Sequence, residues 1–183
     1  VVDLELLIVG DLNPLLCAGC DRGVLRLTVT RGSGGRGYRP PRGAAPTRIL
    51  ALYARPEYPQ AWYEQGVDVT ICRTRLGLNP ALAGLKHLNR LEQVLARNEW
   101  RDDSAFEGLT LDTDGRLICG TMSNVFISGP HSILTPDLSH CGVSGIMRRK
   151  LVDILAAAKM TFVGYHMQWP GVENVDAKED GYT

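Results

Sequence analysis

Lys86 stands in a sequence setting that could turn a lysine side chain into a nucleophile. It follows the small residue Gly84 by two positions, at the mouth of a segment whose leucines recur at helical spacing. A lysine amine that is held in place and shielded from water loses its proton more readily and can condense with an aldehyde. The alternative is a solvated helix lysine, because lysine side chains are mostly exposed. The leucines predicted to share one face of this helix are Leu85, Leu88, Leu91 and Leu95.

A glycine- and arginine-rich segment, residues 31–43, is predicted to be a loop, because its glycines and prolines interrupt any regular pattern. Arg36 could bind a carboxylate through two parallel hydrogen bonds, and Tyr38 could add a hydroxyl group. Two alternatives stay open for the residues taken alone. One is a mobile surface hairpin loop, and the other is an arginine–glycine segment that binds RNA.

A second candidate site lies at residues 141–148, where a loop leads into a predicted helix. The first backbone N–H groups of a helix lack partners within the helix, and the helix dipole is positive there. Three cationic residues stand in this first turn: Arg148, Arg149 and Lys150. Cations are unfavourable at the positive end of a helix unless an anion is bound there. The pattern predicts a phosphate pocket, with Ser144 as the N-cap residue. The alternative is a helix start with a solvated basic face.

Small polar residues also gather between two predicted strands, in residues 118–126. Such a segment can line a pocket with hydroxyl groups and backbone amides. The alternative is an ordinary connection between strands. The candidate residues are Thr121, Met122, Ser123 and Asn124.

Composition narrows the class of protein. The 183 residues are 44% hydrophobic and 22% charged, which predicts a normal buried core. Twenty basic residues balance twenty acidic ones, so the net charge gives no drive toward nucleic acid or anionic lipid. No apolar run approaches the roughly 20 residues of a membrane span, and the start lacks the pattern of a signal peptide. We therefore predict neither a nucleic-acid nor a membrane partner.

The cysteines indicate a reducing compartment. Five cysteines, an odd number in a chain of this size, fit the cytoplasm better than a disulfide framework. Cys17 and Cys20 form a lone Cys-x-x-Cys pair, whereas a zinc site needs a second pair at suitable spacing. We predict a cytoplasmic protein without a bound metal.

Periodicity predicts more strands than helices. Alternating, β-branched segments predict strands over residues 24–30, 47–54, 67–73 and 161–167, and hairpins over 107–119 and 125–135. The first hairpin turns at an Asp-Gly pair, residues 114–115. Residues 56–65 read as a loop or short helix, residues 3–18 have loosely helical spacing, and residues 145–159 form a helix. The irregular alternation is typical of the α+β class. The residues of the last helix predicted to face the core are Met147, Leu151, Ile154, Leu155 and Ala158.

Four segments, taken in order, carry a family resemblance: TRGSGGRGY, GLKHLNRLEQVLAR, CGTMSNVF and CGVSGIMR. Together they resemble 4-amino-4-deoxychorismate lyase. This lyase belongs to the class IV (fold type IV) pyridoxal-phosphate enzymes, which also include branched-chain and D-amino-acid aminotransferases. The resemblance covers about residues 20–158. KHLNRLEQ and RGSGGRGY are specific to the lyase branch, whereas GTMSN and SGIMR are shared more widely.

The resemblance implies a fold and an organisation. A fold type IV enzyme has a small α/β N-terminal domain and a larger, pseudobarrel-like C-terminal domain, and it usually forms a homodimer. We expect a partial N-terminal domain over residues 1–74, a linker over 75–84 and an incomplete C-terminal pyridoxal-phosphate-binding domain over 85–183. The family has further segments at both ends, so we expect a chain truncated at both ends.

The resemblance also implies roles for particular residues. Lys86 resembles the lysine that condenses with the cofactor aldehyde and later moves a proton. Arg36 and Tyr38 are similar to the loop that binds the substrate carboxylate. Cys119 stands where relatives usually carry a glutamate that pairs with the pyridine nitrogen of the cofactor. The other implied cofactor contacts are Thr121, Met122, Ser123 and Asn124 near the ring, and Gly145, Ile146 and Met147 near the phosphate.

The implied activity is that of a cytoplasmic lyase of folate synthesis, which converts 4-amino-4-deoxychorismate to 4-aminobenzoate and pyruvate. A thiol at Cys119 favours the lyase over an aminotransferase, because a thiol is a weak partner for a protonated pyridine. Loss of pyruvate makes the product ring aromatic and supplies its own driving force. Three alternatives stay open: an aminotransferase of the same class, an RNA-binding module built on the arginine–glycine loop, and a non-catalytic remnant.

Overall fold

The computed structural model describes residues 2–4, 23–101, 104–129, 132–158 and 161–165. Contacts group the chain into two compact units, Val1–Gln65 with Lys86–Leu88, and Gly66–Leu85 with Asn89–Thr183. The domain limits of 1–74, 75–84 and 85–183 stay a prediction. The spacing predicted for residues 5–18, the Cys-x-x-Cys pair and the end of the strand predicted to reach residue 167 lie outside the described residues.

The first unit contains an antiparallel sheet of three strands in the order β1-β2-β3. The strands are β1 (Val2–Leu4), β2 (Gly23–Thr30) and β3 (Thr47–Ala54), and the short helix α1 (Gln60–Gln65) follows them. Thr30 pairs with Thr47, so residues 31–46 connect β2 to β3. The predicted strands and the loop between them are confirmed. Asp3 and Leu4, predicted at helical spacing, instead lie in a strand because they pair with β2.

The second unit contains a sheet in the order β4-β5-β6, formed by β4 (Val69–Leu76), β5 (Glu107–Asp112) and β6 (Leu117–Gly120). β4 and β5 are parallel, so the chain between them crosses over, and it carries the helix α2 (Leu91–Arg97). β5 and β6 are antiparallel, and the predicted hairpin between them is confirmed. Gly115 in its turn has a φ of 81°, which glycine adopts without strain.

A third sheet, also in the second unit, has the order β7-β8-β9. Its strands are β7 (Ile127–Ser128), β8 (Ser132–Pro136) and β9 (Thr161–Tyr165). β7 and β8 form the second predicted hairpin, whereas β8 and β9 are parallel. The helix α3 (Ile146–Ala157) lies in the crossover between these parallel strands. None of the helices in the described part of the chain is long and apolar enough to cross a membrane.

The helix predicted to begin near Lys86 begins at Leu91 instead. Gly84 has a φ of 76°, outside the helical region, and its backbone pairs with Val143. The backbone groups that would start a helix at this point are therefore engaged elsewhere. Leu85 and Leu88 precede α2, so they do not share a helical face with the leucines of α2, which corrects that prediction.

The last helix differs from its prediction in its cap and in its buried face. Gly145, not Ser144, is the N-cap residue of α3. Among the residues predicted to face the core only Leu155 is buried, whereas Met147 is 71% exposed. Arg148 and Leu155 share the buried face, because residues seven apart lie on the same side of a helix. The other three residues predicted to face inward, Leu151, Ile154 and Ala158, are also exposed.

Two small clusters form the hydrophobic core of the second unit, and β6 contributes to both. Leu117 packs against Leu111 in one cluster, joined by partly buried hydrophobic residues of the second unit. Ile118 and Cys119 belong to the other cluster. Its remaining members are Leu76, Leu138 and Cys141. The end of β6 is therefore fixed by packing, and the segment that follows it starts from a rigid point.

Candidate functional site

Residues 121–124, which we call the 121–124 loop, follow β6 and form a compact polar turn. Backbone hydrogen bonds hold both of its ends. The N–H group of Gly120 donates to the carbonyl oxygen of Ser123 at 2.9 Å. The N–H group of Thr121 donates to the carbonyl oxygen of Gly108 in β5, also at 2.9 Å. The residues predicted to line a pocket are thus brought together, at the edge where β5 and β6 meet.

The carboxylate of Glu107 binds this loop from β5, and the side chain is only 5% exposed. Its Oε1 accepts hydrogen bonds from the N–H groups of Gly108 and Thr121 at 2.9 and 3.0 Å, and from the Thr121 hydroxyl at 2.5 Å. Its Oε2 accepts from the Ser123 hydroxyl at 2.8 Å and from the Met122 N–H group at 3.3 Å. Each residue from 121 to 123 therefore donates to the same buried carboxylate.

These hydrogen bonds keep Glu107 charged. Burial raises the pKa of Glu107, but the hydrogen bonds from the hydroxyls of Thr121 and Ser123 and from two backbone N–H groups outweigh burial and hold it below its ordinary value of 4.5. A buried carboxylate without such partners would be costly. The negative charge of Glu107 is consequently part of the structure at neutral pH.

Asn124 joins the 121–124 loop to the start of α3. Its Nδ2 donates a hydrogen bond to the carbonyl oxygen of Val143 at 2.8 Å. Gly145 permits this approach, because a Cβ atom there would lie 2.5 Å from Oδ1 of Asn124. The polar loop and the mouth of α3 are therefore in direct contact within the second unit.

The first turn of α3 has the features of an anion site. Its N-cap residue, Gly145, provides no side-chain hydrogen bond to the free N–H groups of the turn. Arg148 is buried, and it donates to Oγ1 of Thr135 at 3.3 Å and to the carbonyl oxygen of Pro136 at 3.0 Å. Both acceptors are neutral, so the positive charge of Arg148 adds to the positive end of the helix dipole.

The segment that leads to Lys86 is tied to the loop before α3. The N–H group of Gly84 donates to the carbonyl oxygen of Gly142 at 3.1 Å, and the N–H group of Ser144 donates to the carbonyl oxygen of Gly84 at 3.0 Å. Lys86 follows two residues later in the sequence, is partly buried, and groups with the first unit. Its role as the nucleophile stays a prediction.

Cys119 is a buried residue of β6, 5% exposed. The hydroxyl of Thr110 donates to the carbonyl oxygen of Cys119 at 2.8 Å and lies 3.4 Å from its Sγ. Burial raises the pKa of the Cys119 thiol, and neither the Thr110 hydroxyl nor the positive charge of Arg90 offsets this. Cys119 is therefore a neutral thiol at neutral pH. Its place opposite the pyridine nitrogen stays a prediction.

Arg36 and Tyr38 lie in the exposed loop of residues 31–46 in the first unit. The Tyr38 side chain is 98% exposed. Nη1 of Arg31 donates to the carbonyl oxygen of Tyr38 at 3.4 Å, a contact that uses only the backbone of Tyr38. The loop thus presents both side chains to solvent within this unit, and their role in binding a substrate stays a prediction.

Glu107 is the residue of this site that sequence reasoning missed. It begins a strand and precedes Gly108, and the residues it binds are 14 to 16 positions away. No short motif links an acidic residue to hydroxyls at that distance. The signal that could have found it is an acidic residue on a strand that is otherwise buried, because a buried charge requires partners. In the described ranges no three His, Cys, Asp or Glu side chains are grouped so as to hold a metal ion.

The sequence profile of the amino-transferase class IV family matches residues 12–174, and the chain belongs to this family. It is 38% identical over 144 residues to the aminodeoxychorismate lyase of Vibrio harveyi, a match that covers 79% of this chain and 51% of that protein. It is 29% identical over 133 residues to the D-alanine aminotransferase of Bacillus licheniformis, covering 72% of this chain and 45% of that protein.

Solved structures show the same relationship. The crystal structure of 4-amino-4-deoxychorismate lyase from Pseudomonas aeruginosa matches with a TM-score of 0.79 and 44% identity, covering 88% of this chain and 62% of that one. The branched-chain amino acid aminotransferase of Escherichia coli shares the fold, with a TM-score of 0.67, 20% identity, and 88% and 55% coverage. The predicted fold type IV architecture is confirmed. The chain spans about half the length of the curated relatives that it matches.

Enzymes of this family use pyridoxal phosphate, and the residues of the second unit fit that cofactor. The first turn of α3 offers N–H groups without a side-chain cap, which suits a phosphate group. The absence of a Cβ atom at Gly145 lets Asn124 lie against the start of this turn. The 121–124 loop reaches the start of this turn through the side-chain amide of Asn124.

Proposed function

We propose that the whole protein is a pyridoxal-phosphate-dependent lyase that converts 4-amino-4-deoxychorismate to 4-aminobenzoate and pyruvate. The observation that carries this proposal is the junction of the 121–124 loop with the mouth of α3 through Asn124. This junction supports a shared site for the phosphate and the ring of the cofactor. The chain is also 38% and 44% identical to two proteins named as that lyase. Identity to the two aminotransferases described above is lower, at 29% and 20%.

The residues of the second unit divide the binding of the cofactor between them. The backbone N–H groups of Ile146 and Met147 bind the phosphate, and Gly145 lets Asn124 pack against the start of this turn. Thr121, Met122 and Ser123 line the cofactor ring, in the backbone shape that their hydrogen bonds to Glu107 hold. Bound pyridoxal phosphate supplies an aldehyde for the substrate amine and an electron-withdrawing ring.

Lys86 supplies the amine that condenses with the cofactor aldehyde and afterwards removes a proton from the substrate ring as a general base. The backbone bonds at Gly84 support this role, because they fix the chain two residues before Lys86 at the loop that precedes α3. In the first unit, Arg36 and Tyr38 bind the substrate carboxylate.

Cys119 favours a lyase over an aminotransferase. The buried thiol is neutral, because burial raises its pKa. It therefore offers no negative charge to a protonated pyridine nitrogen, and an aminotransferase depends on that charge more than a lyase whose product becomes aromatic. If Cys119→Glu raised the lyase rate by orders of magnitude, this argument would fail.

We further propose that the protein is a cytoplasmic homodimer that acts in folate synthesis. Its dimerisation is supported by apolar side chains that both helices of the second unit leave exposed: Leu91, Val94, Leu95, Met147, Leu151 and Ile154. Exposed apolar residues in such numbers are typical of surfaces that a partner covers. Sedimentation velocity at assay concentration should give a dimer, and a monomer with full activity would contradict this part of the proposal.

The spectrum of the protein with pyridoxal phosphate tests the cofactor and the lysine together. The mixture should develop an absorption band that borohydride treatment removes, and mass spectrometry should place the reduced adduct on the peptide that contains Lys86. Lys86→Arg is the matched control, because it keeps the positive charge and cannot condense with an aldehyde. An adduct on another lysine, or an unchanged band in Lys86→Arg, would contradict the assignment.

A substrate assay separates the lyase from an aminotransferase. Wild-type protein loaded with pyridoxal phosphate should release pyruvate from 4-amino-4-deoxychorismate without any added keto acid. Amino-group transfer that requires a keto acid, without pyruvate release, would assign the chain to the aminotransferase branch.

A further inference from the structure

We propose that Glu107 is the positioning residue that gives the 121–124 loop its binding-competent shape, although its own carboxylate faces the loop and not a ligand. This inference rests on the proposed function, because it takes the 121–124 loop as part of the cofactor site. The carboxylate is buried, and it accepts hydrogen bonds from the backbone N–H groups of Thr121 and Met122 and from the hydroxyls of Thr121 and Ser123.

The geometry argues for a positioning role because of what Glu107 binds. Hydrogen bonds to consecutive N–H groups fix the orientation of the peptide units, and bonds to the hydroxyls fix the rotamers of Thr121 and Ser123. Asn124 then carries this fixed shape to the loop before α3 through its bond to Val143 at 2.8 Å. A change at Glu107 should therefore be transmitted to the cofactor site without any contact between Glu107 and the cofactor.

Asp112 offers a matched control in the same strand. It is also buried, at 2% exposed, and its Oδ1 accepts hydrogen bonds from the N–H groups of Asp114 and Arg116 at 2.9 and 2.8 Å. Both residues are thus buried carboxylates of β5 that accept hydrogen bonds from the backbone of a turn. Only Glu107 binds the 121–124 loop, whereas Asp112 binds the hairpin turn between β5 and β6.

The test compares Glu107→Gln with Asp112→Asn in the full chain, at a temperature where both variants are folded. Glutamine keeps the length of the side chain but removes the charge and one acceptor. We expect the dissociation constant for pyridoxal phosphate to rise by about 10-fold or more in Glu107→Gln, the difference between a charged and a neutral hydrogen-bond acceptor. Asp112→Asn should leave this constant within about 2-fold of the wild type, because it loosens a different turn.

Hydrogen exchange of the backbone amides gives a second readout that does not need the cofactor. In Glu107→Gln, the amides of Thr121 and Met122 should exchange about 10-fold faster, and those of Asp114 and Arg116 should not change. Asp112→Asn should give the opposite pattern. Unchanged protection of Thr121 in Glu107→Gln would overturn the proposal, and so would faster exchange with an unchanged affinity for pyridoxal phosphate.

If Glu107→Gln does not fold, the variants Thr121→Val and Thr121→Ser provide the same test from the other side of the hydrogen bond. Valine removes the hydroxyl while keeping the shape, and serine keeps the hydroxyl. The Met122 amide should exchange faster in Thr121→Val and at about the wild-type rate in Thr121→Ser, whereas loss of a direct contact between Thr121 and the cofactor would change the affinity alone. Equal exchange rates in both variants would overturn the proposal. If the wild type binds no pyridoxal phosphate, the proposed function is wrong, and the proposed effect of Glu107 on cofactor binding is wrong as well. In that case the exchange rates still measure the anchoring itself.

Discussion

The 121–124 loop and the loop of residues 31–46 both carry polar side chains for a proposed ligand, and they are held in different ways. The first is short and binds a buried carboxylate, Glu107, at each of its first three residues. The second is long and exposed. Its described side-chain hydrogen bonds are local ones, such as the bond from the Gly32 N–H group to Oγ1 of Thr30 at 3.1 Å.

The difference shows two ways of building a site from the same kinds of residues. In the 121–124 loop, the conformational entropy of the polar groups is lost during folding. Little further ordering is therefore needed when a ligand binds. At Gly37 and Gly43 of the longer loop, φ is positive and a Cβ atom would meet open space, so the freedom of glycine and not packing sets the backbone at these two positions. We expect the first loop to suit a resident cofactor and the second to suit a substrate that comes and goes.

The largest expected effect comes from removing the proposed nucleophile, which lies outside both loops. Lys86→Ala should lower kcat by about 10³-fold or more, because a proton-moving group is lost together with the nucleophile. Amide spectra of both loops should stay the same, since neither contains Lys86. A variant that keeps more than a tenth of the wild-type kcat would show that the chemistry is placed elsewhere.

A pair of glycine substitutions tests how tightly each loop is packed. A Cβ atom at Gly120 would meet Oγ of Ser123 and lie 2.7 Å from Oε2 of Glu107, whereas a Cβ atom at Gly35 would meet nothing within 4 Å. Gly120→Ala should lower the free energy of unfolding by about 1–3 kcal/mol, as measured by urea denaturation. Gly35→Ala should change it by less than about 0.5 kcal/mol. Similar values for the two variants would remove the distinction between the loops.

Arg36→Ala tests whether the exposed loop serves the substrate alone. The KM for 4-amino-4-deoxychorismate should rise by about 10-fold, through loss of a charged hydrogen bond, while the dissociation constant for pyridoxal phosphate stays the same. Arg36→Lys is the matched control, because it keeps the charge without the paired donors and should recover part of the loss. A change in cofactor affinity in Arg36→Ala would mean that the two loops share a ligand.

The smallest expected effect is a change in stability at acid pH, which should involve the 121–124 loop and not the loop of residues 31–46. The pKa of Glu107 lies below its ordinary value of 4.5, because the hydrogen bonds it accepts outweigh its burial. Its contribution to stability is therefore complete above about pH 4.5 and is lost as the pH falls through the lower pKa of the folded state. The amide shifts of Thr121 and Met122 should follow this titration, and that of Gly35 should not. A titration of the Thr121 amide above pH 4.5 would contradict the sign of the shift.

The sequence predicted the strands and hairpins because their signals are local. Alternating residues in β2 and β3 and the Asp-Gly turn between β5 and β6 depend only on neighbours in the chain. The resemblance of four ordered segments supplied the family, and the match over residues 12–174 confirms it. Composition and periodicity without the resemblance led only to the α+β class.

The errors arose where distant parts of the chain decide the local structure. Leucines at helical spacing predicted a helix from Leu85, but Gly84 pairs with Val143, which is 59 positions away. Ser144 is a better N-cap than glycine by residue type, but its N–H group donates to the carbonyl oxygen of Gly84 and the helix starts one residue later. Glu107 was missed for the same reason, because its partners lie on another strand's end. Periodicity carries no information on any of these contacts.

The link between Gly84 and Gly142 has a consequence for how this chain can change by mutation. Its hydrogen bonds involve main-chain atoms alone, so they place no demand on the chemistry of the side chains around them. Both glycines, however, have positive φ values, 76° and 85°, and a Cβ atom at Gly142 would lie 2.8 Å from side chains of Ile118 and Leu138. In a library of random variants screened for folding, the exposed neighbour Leu85 should therefore accept many residue types while these two positions accept glycine alone.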